Sequence, residues 1–146
     1  MKRNLLLSRP YSTSVVLLLL VSSLATAVKA ELPPYVYKEW QQKAPESLVI
    51  KILSVKTEET DEPRLARVAV TLEARVERVS RSRSGLKPGE VIRIRYEHRR
   101  HKEPLAGPSE VPVLKKGRSY PAYLKRGEMK GEYTPAAGGY SFREVK

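Results

Sequence analysis

The chain has 146 residues, with 28 Lys+Arg against 16 Asp+Glu for a net charge of +12, and no cysteine. That composition excludes a disulfide scaffold, a thiol nucleophile and thiolate metal binding, so packing alone must hold the core. A balance this basic points either to negatively charged partners or to charge that serves solubility.

Residues 1–30 read as a targeting segment rather than as part of the fold. Lys2, Arg3 and Arg9 give a positive start, the run VVLLLLV at 15–21 with Leu24 gives an apolar centre, and Ala25-Thr26-Ala27 or Val28-Lys29-Ala30 offers small residues at a cleavage spacing. The run is far shorter than the roughly 20 residues that cross a bilayer. The expectation is therefore a signal peptide cleaved after Ala30 and a secreted or periplasmic protein with no transmembrane segment in its mature part; retention of the segment as an anchor is the alternative. The segment carries Lys2, Arg3, Arg9 and Lys29 and no acid, which leaves 24 Lys+Arg against 16 Asp+Glu in the mature chain. Of that +8, +7 lies within residues 75–102. The remaining 116 residues suit one domain with a real core.

Residues 31–46 predict a short helical segment. Pro33 and Pro34 are tolerated only at a helix start, Val36, Tyr37 and Trp40 share one face, and Pro45 ends the run. Residues 47–146 then form the main domain. LVIKILSVK at 48–56 is apolar on both faces, as in a strand between two layers or one bent through a corner. TEETDEPR, rich in charge and holding a proline, predicts a loop. ARVAVTLEARVERVS is the clearest strand: Val68, Val70, Leu72, Ala74 and Val76 alternate with Arg67, Thr71, Glu73, Arg75 and Glu77. The parity changes between Val76 and Val79, which predicts a bulge near Glu77 and Arg78. RSRSGLKPGE predicts a turn, after which Ile92, Ile94 and Tyr96 point inward while Arg93, Arg95 and Glu97 point outward, so these two strands form a hairpin. A long crossing follows. RSYPAYLKR predicts a short strand whose Pro121 calls for an edge, or for a place where no ladder donor is needed. GEMKGEYTPAAGG reads as a loop and YSFREV as the fifth strand.

Five strands, a first one shared between layers and no crossover helices predict a mainly β fold, a five-stranded OB-like antiparallel barrel with a short N-terminal helix. More narrowly, several features resemble the netrin-like modules of tissue inhibitors of metalloproteinases. They are the strand holding Val76 and Val79, the turn with Gly85, Leu86 and Gly89, the strand beginning Val91-Ile92, and Leu114-Lys115-Lys116-Gly117 leading to Tyr120 and Leu124. YTPAAGGYSF is also similar to the closing stretch of small exported bacterial proteins of no assigned activity. Those inhibitors chelate a protease zinc through an N-terminal cysteine, which this chain lacks, so the resemblance carries over no inhibitory residue.

Nothing in the sequence predicts catalysis. Asp61 sits in an acidic run, Glu73, Glu77 and Glu97 alternate with arginines, and no nucleophile-elbow, HExxH or phosphate-loop motif occurs. No cofactor or metal is expected. His98 and His101 lie three apart beyond a strand, among arginines that repel a cation, and read as solvated loop residues.

The remaining signal is the charge. Arg78, Arg81, Arg83 and Lys87 lie on the hairpin connection, Arg93 and Arg95 on the strand, and Arg99, Arg100 and Lys102 beyond its far end. Cross-strand pairing with Glu73, Glu77 and Glu97 accounts for part of this set; the excess has few acidic neighbours in sequence. Two functions follow. One is an exported non-catalytic module that binds an anionic polymer or envelope surface through these nine cations. The other is a protein-interaction or assembly module that uses an apolar edge near 120–124 or the C-terminal loop. Export argues against nucleic acid as the ligand.

Overall fold

A computed structural model describes residues 31–102 and 107–146; the signal segment predicted at 1–30 lies outside them. Helix α1 (Pro34–Lys43) starts on Pro34, where a missing N–H costs nothing. Tyr37 and Gln41, one turn apart, are its buried positions. Trp40, expected on the same face as Tyr37, sits instead on the helix shoulder, part-exposed and edge-on to the Tyr37 ring at 5.5 Å. Ala44 leaves the helical region at φ −56° and ψ 129°, as a residue before proline does.

Five strands follow: β1 (Glu46–Asp61), β2 (Leu65–Ser82), β3 (Val91–His101), β4 (Ser119–Arg126) and β5 (Glu132–Pro135). They close on themselves in the order β1-β2-β3-β5-β4. All neighbours are antiparallel except β3 and β5, which run parallel with Arg93 opposite Glu132 and Ile94 opposite Tyr133. The sheet is therefore mixed, where a wholly antiparallel one was expected.

The expected loop TEETDEPR is mostly strand. β1 continues through it, pairing down to Asp61 opposite Ala66, and only Glu62, Pro63 and Arg64 turn the chain. This part of β1 is exposed, so no apolar alternation marks it; its ladder to β2 holds it extended. The bulge expected near Glu77 is present: from Val49 to Ile50 the partner steps from Arg78 to Val76. A second extra residue, Ser80, falls between the partners of Ser47 and Leu48, and Leu53 is extra on β1. Three such irregularities bend the long β1–β2 ribbon enough for β1 to reach β4.

The fifth strand lies elsewhere than expected. Glu132–Pro135 forms it, whereas YSFREV is not strand but follows a 3-10 turn at Gly138–Tyr140. Ser141 holds that turn, its Oγ donating to Gly138 O and accepting from Ala137 N. A Cβ on Gly139 would collide with the Ser109 backbone, so only glycine lets the crossing segment pass there. Pro121 lies opposite Val49 on β4. Tyr123, of the same parity, donates its N–H to Ser141 O, away from β1; at Pro121 no β1 acceptor is left waiting.

Inside the ring, Leu48, Ile50, Ile52, Val70, Leu72, Ala74, Val76, Ile92, Ile94, Ala122, Leu124, Tyr133 and Phe142 form one buried cluster. Each large member contributes roughly 1.5–3 kcal/mol of burial, which is how a cysteine-free domain is held. No helix among the described residues is long and apolar enough to cross a membrane.

Candidate functional site

The β2–β3 register decides what the outward cations do. Glu73 lies opposite Arg93, Thr71 opposite Arg95, Ala69 opposite Glu97 and Arg67 opposite Arg99. Arg93 Nη2 lies 3.9 Å from Glu73, and Arg95 Nη1 3.6 Å from Glu132 on β5. Arg67 and Arg99, like charges directly opposed, share Glu97 at 3.4 and 2.8 Å, and Arg67 also meets Glu62 at 3.0 Å. The Arg99 hydrogen bond holds the Glu97 carboxyl below the usual carboxylate range. At the far end Arg100 pairs with Glu59, and Lys102 with Asp61 at 2.7 Å. Arg93, Arg95, Arg99, Arg100 and Lys102 thus each have a carboxylate. Two of these, Glu59 and Asp61, come from the stretch of β1 that the sequence suggested was loop.

Arg81 has another task. Its Nε donates to Ala44 O and its Nη2 to Gln41 O, both at 2.9 Å, satisfying carbonyls at the C-terminal end of α1. Of the nine cations, Arg78, Arg83 and Lys87 are left without a carboxylate within 4 Å among the described residues.

Two cations outside that set join Arg78. Lys51 on β1 lies directly opposite Arg75 on β2, and its other neighbour is Ser119 on β4. Both are exposed, and neither has a carboxylate within 4 Å among the described residues. Arg78, opposite Val49, extends the band toward the connection that carries Arg83 and Lys87. Like charges directly opposed across a ladder destabilise it. Among the described cations of β2 and β3, those without a carboxylate within 4 Å lie on the outer face of β1–β2 rather than at the far end of β3. No sequence pattern announces this, because pairing Lys51 with Arg75 depends on the bulges that set the register.

The ring interior holds a polar group that sequence reasoning missed. Glu46 is 1% exposed. Its Oε2 accepts from Ser82 Oγ, and its Oε1 accepts from Ser84 N at 3.1 Å and Ser84 Oγ at 2.8 Å. Ser84 Oγ also lies 2.9 Å from Tyr133 Oη, and Ser82 Oγ accepts from Leu86 N at 2.9 Å. Both hydroxyl protons are thereby committed to Glu46, which ties the start of β1 to the β2–β3 connection and β5.

His98 Nδ1 lies 2.8 Å from Val111 O, and Tyr96 Oη donates to Pro112 O at 2.8 Å, so both hold the crossing segment against β3. His98 is thus half-buried and engaged, where a solvated loop residue was expected, while His101 is exposed. Burial pushes the Tyr96 phenol up from its ordinary value. No group of three or more His, Asp or Glu side chains is arranged to hold a metal among the described residues.

Beside the cation band runs a shallow groove. One hollow of about 400 Å³ is lined by Ser54, Ala69 and Thr71 together with the charged Lys56, Glu58, Glu73, Arg93 and Arg95. It shares Glu73 and Arg93 with a second hollow, of about 370 Å³, that reaches Glu132 on β5. No family model, curated protein or solved structure matches the chain.

Proposed function

We propose that this is an exported, non-catalytic binding module of OB type that takes a linear polyanion on the outer face of β1–β2. The OB reading is supported by the strand order β1-β2-β3-β5-β4 with β3 and β5 parallel. The remote likeness to netrin-like modules fits the same topology. The binding reading rests on one observation above all: Lys51 and Arg75 stand directly opposed, and neither has a carboxylate within 4 Å among the described residues. A sulfate, phosphate or carboxylate laid across that pair relieves their repulsion, and Arg78, Arg83 and Lys87 extend the track. Glu46, Ser82 and Ser84, bonded to one another with Glu46 buried, are read as a device that holds the fold.

Retention on immobilised heparin across a salt gradient tests this. The variant Lys51→Glu/Arg75→Glu should elute at distinctly lower salt than the parent, while Arg100→Glu/Lys102→Glu, with the same change in net charge, should elute much closer to it, because those cations already have partners. Equal loss in the two variants would show that net charge alone governs retention and would end the proposal. Sedimentation with phosphatidylglycerol vesicles separates a membrane surface from a polymer: vesicle binding without heparin retention assigns the face to lipid.

A further inference from the structure

The groove beside the cation band is built differently, and we infer that it is a second site, one that takes an extended peptide segment carrying a lysine or arginine next to an apolar residue. The decisive atom is Glu132 Oε2. The Glu132 side chain is 9% exposed, yet Oε2 has no hydrogen-bond partner among the described residues. Arg95 Nη1 stands 3.6 Å away, close enough for an ion pair but too far for a hydrogen bond, and its side chain is half-exposed. A buried carboxylate oxygen with an unused lone pair is costly, and a donor brought by a ligand removes that cost.

Oε2 is itself covered, so such a donor reaches it by displacing the half-exposed Arg95 side chain. Glu132 lies where two hollows meet, of about 370 and 410 Å³, each also bounded by Met129, Lys130 and Gly131. Gly127 lets the β4–β5 connection fold close, since a Cβ there would stand 3.2 Å from Glu132 Cγ and Oε1. The first of these hollows is also lined by Val91 and Met129, two of the few large apolar side chains left exposed, at 57% and 52%. Apolar side chains beside an unsatisfied carboxylate fit a chain that offers an apolar group and a cation in succession. A polyanion gains no net attraction here, because Arg93 and Lys130 in this hollow are balanced by Glu73 and Glu132. A peptide has the right alternation and can lie along the three connected hollows.

Two peptides distinguish the outcomes: acetylated and amidated Ser-Leu-Lys-Leu-Ser and its glutamine counterpart Ser-Leu-Gln-Leu-Ser, each fluorescently labelled and titrated with the full chain at physiological salt. The lysine peptide should bind roughly tenfold more tightly, the order expected of a charged hydrogen bond. Glu132→Gln should erase that preference. Val91→Ser/Met129→Ser, both exposed positions, should weaken both peptides while keeping their ratio. Equal binding of the two peptides by the parent chain, or a lysine preference that persists in Glu132→Gln, overturns the assignment. Lys51→Glu should leave the ratio unchanged, so failure of this site is separable from failure of the polyanion face.

Discussion

Arg81 on β2 closes the end of α1 by donating to two of its backbone carbonyls, Gln41 O and Ala44 O. The helix is fastened again by the Gln41 side chain, whose Nε2 donates to Tyr140 O at 2.9 Å and Arg143 O at 2.7 Å. An arginine fork reaches two carbonyls at once where an ammonium cannot. Arg81→Lys should therefore lower stability by about 1–3 kcal/mol while leaving heparin elution nearly unmoved, since the charge is kept. Urea unfolding reads the first as a shifted midpoint at constant slope. A variant as stable as the parent would mean that the helix docks without this clip.

Glu46 predicts a second effect on stability. Three donors point at its carboxylate in the ring interior. Glu46→Gln places an amide N–H₂ against one of them and leaves a donor unsatisfied, at a cost of about 1–3 kcal/mol. Ser84→Ala should cost about 1 kcal/mol, and a double-mutant cycle between Ser84→Ala and Tyr133→Phe should show coupling. Additive losses would mean that Ser84 and Tyr133 act independently.

Tyr123 gives an alkaline signature. Its hydroxyl donates to the Glu144 carboxylate at 2.8 and 2.9 Å, and burial together with that bond pushes its phenol up to about 12. A group whose folded value is raised contributes stability that is complete below its unfolded value near 10 and is lost as pH rises toward 12. Tyr123→Phe should therefore flatten the fall in stability between those pH values. Ultraviolet titration of the parent should find a late-ionising tyrosine that this variant lacks. Tyr96, raised still further, remains as an independent late group.

How far the sequence alone reached follows from where each element's signal comes from. β2 and β3 are half-buried, so Val68, Val70, Leu72, Ile92 and Ile94 mark them by alternation. The second half of β1 has no buried apolar face, and β5 is four residues held by parallel pairing to β3, a long-range fact that no local pattern carries. The same two elements supply Glu59, Asp61 and Glu132, the partners of Arg100, Lys102 and Arg95. Misplacing them made a largely compensated set of cations look free. That β3 cations point outward was legible; their neutralisation and the opposition of Lys51 to Arg75 were not.

That opposition makes stability and binding move in contrary directions, which is the sharpest test of the proposed polyanion face. In Lys51→Glu an attractive pair replaces a repulsive one on the same rung of β1–β2. Cross-strand pairs of opposite charge contribute roughly 0.2–1 kcal/mol, and like charges cost similarly. The variant should unfold at higher urea than the parent and yet leave heparin at lower salt. A surface shaped only for solubility predicts the gain in stability with no specific loss of retention beyond that of a control such as Lys38→Glu, on the exposed side of α1. Weaker retention than that control, in a chain made more stable, would mean that the ladder keeps a destabilising pair because an anion completes it.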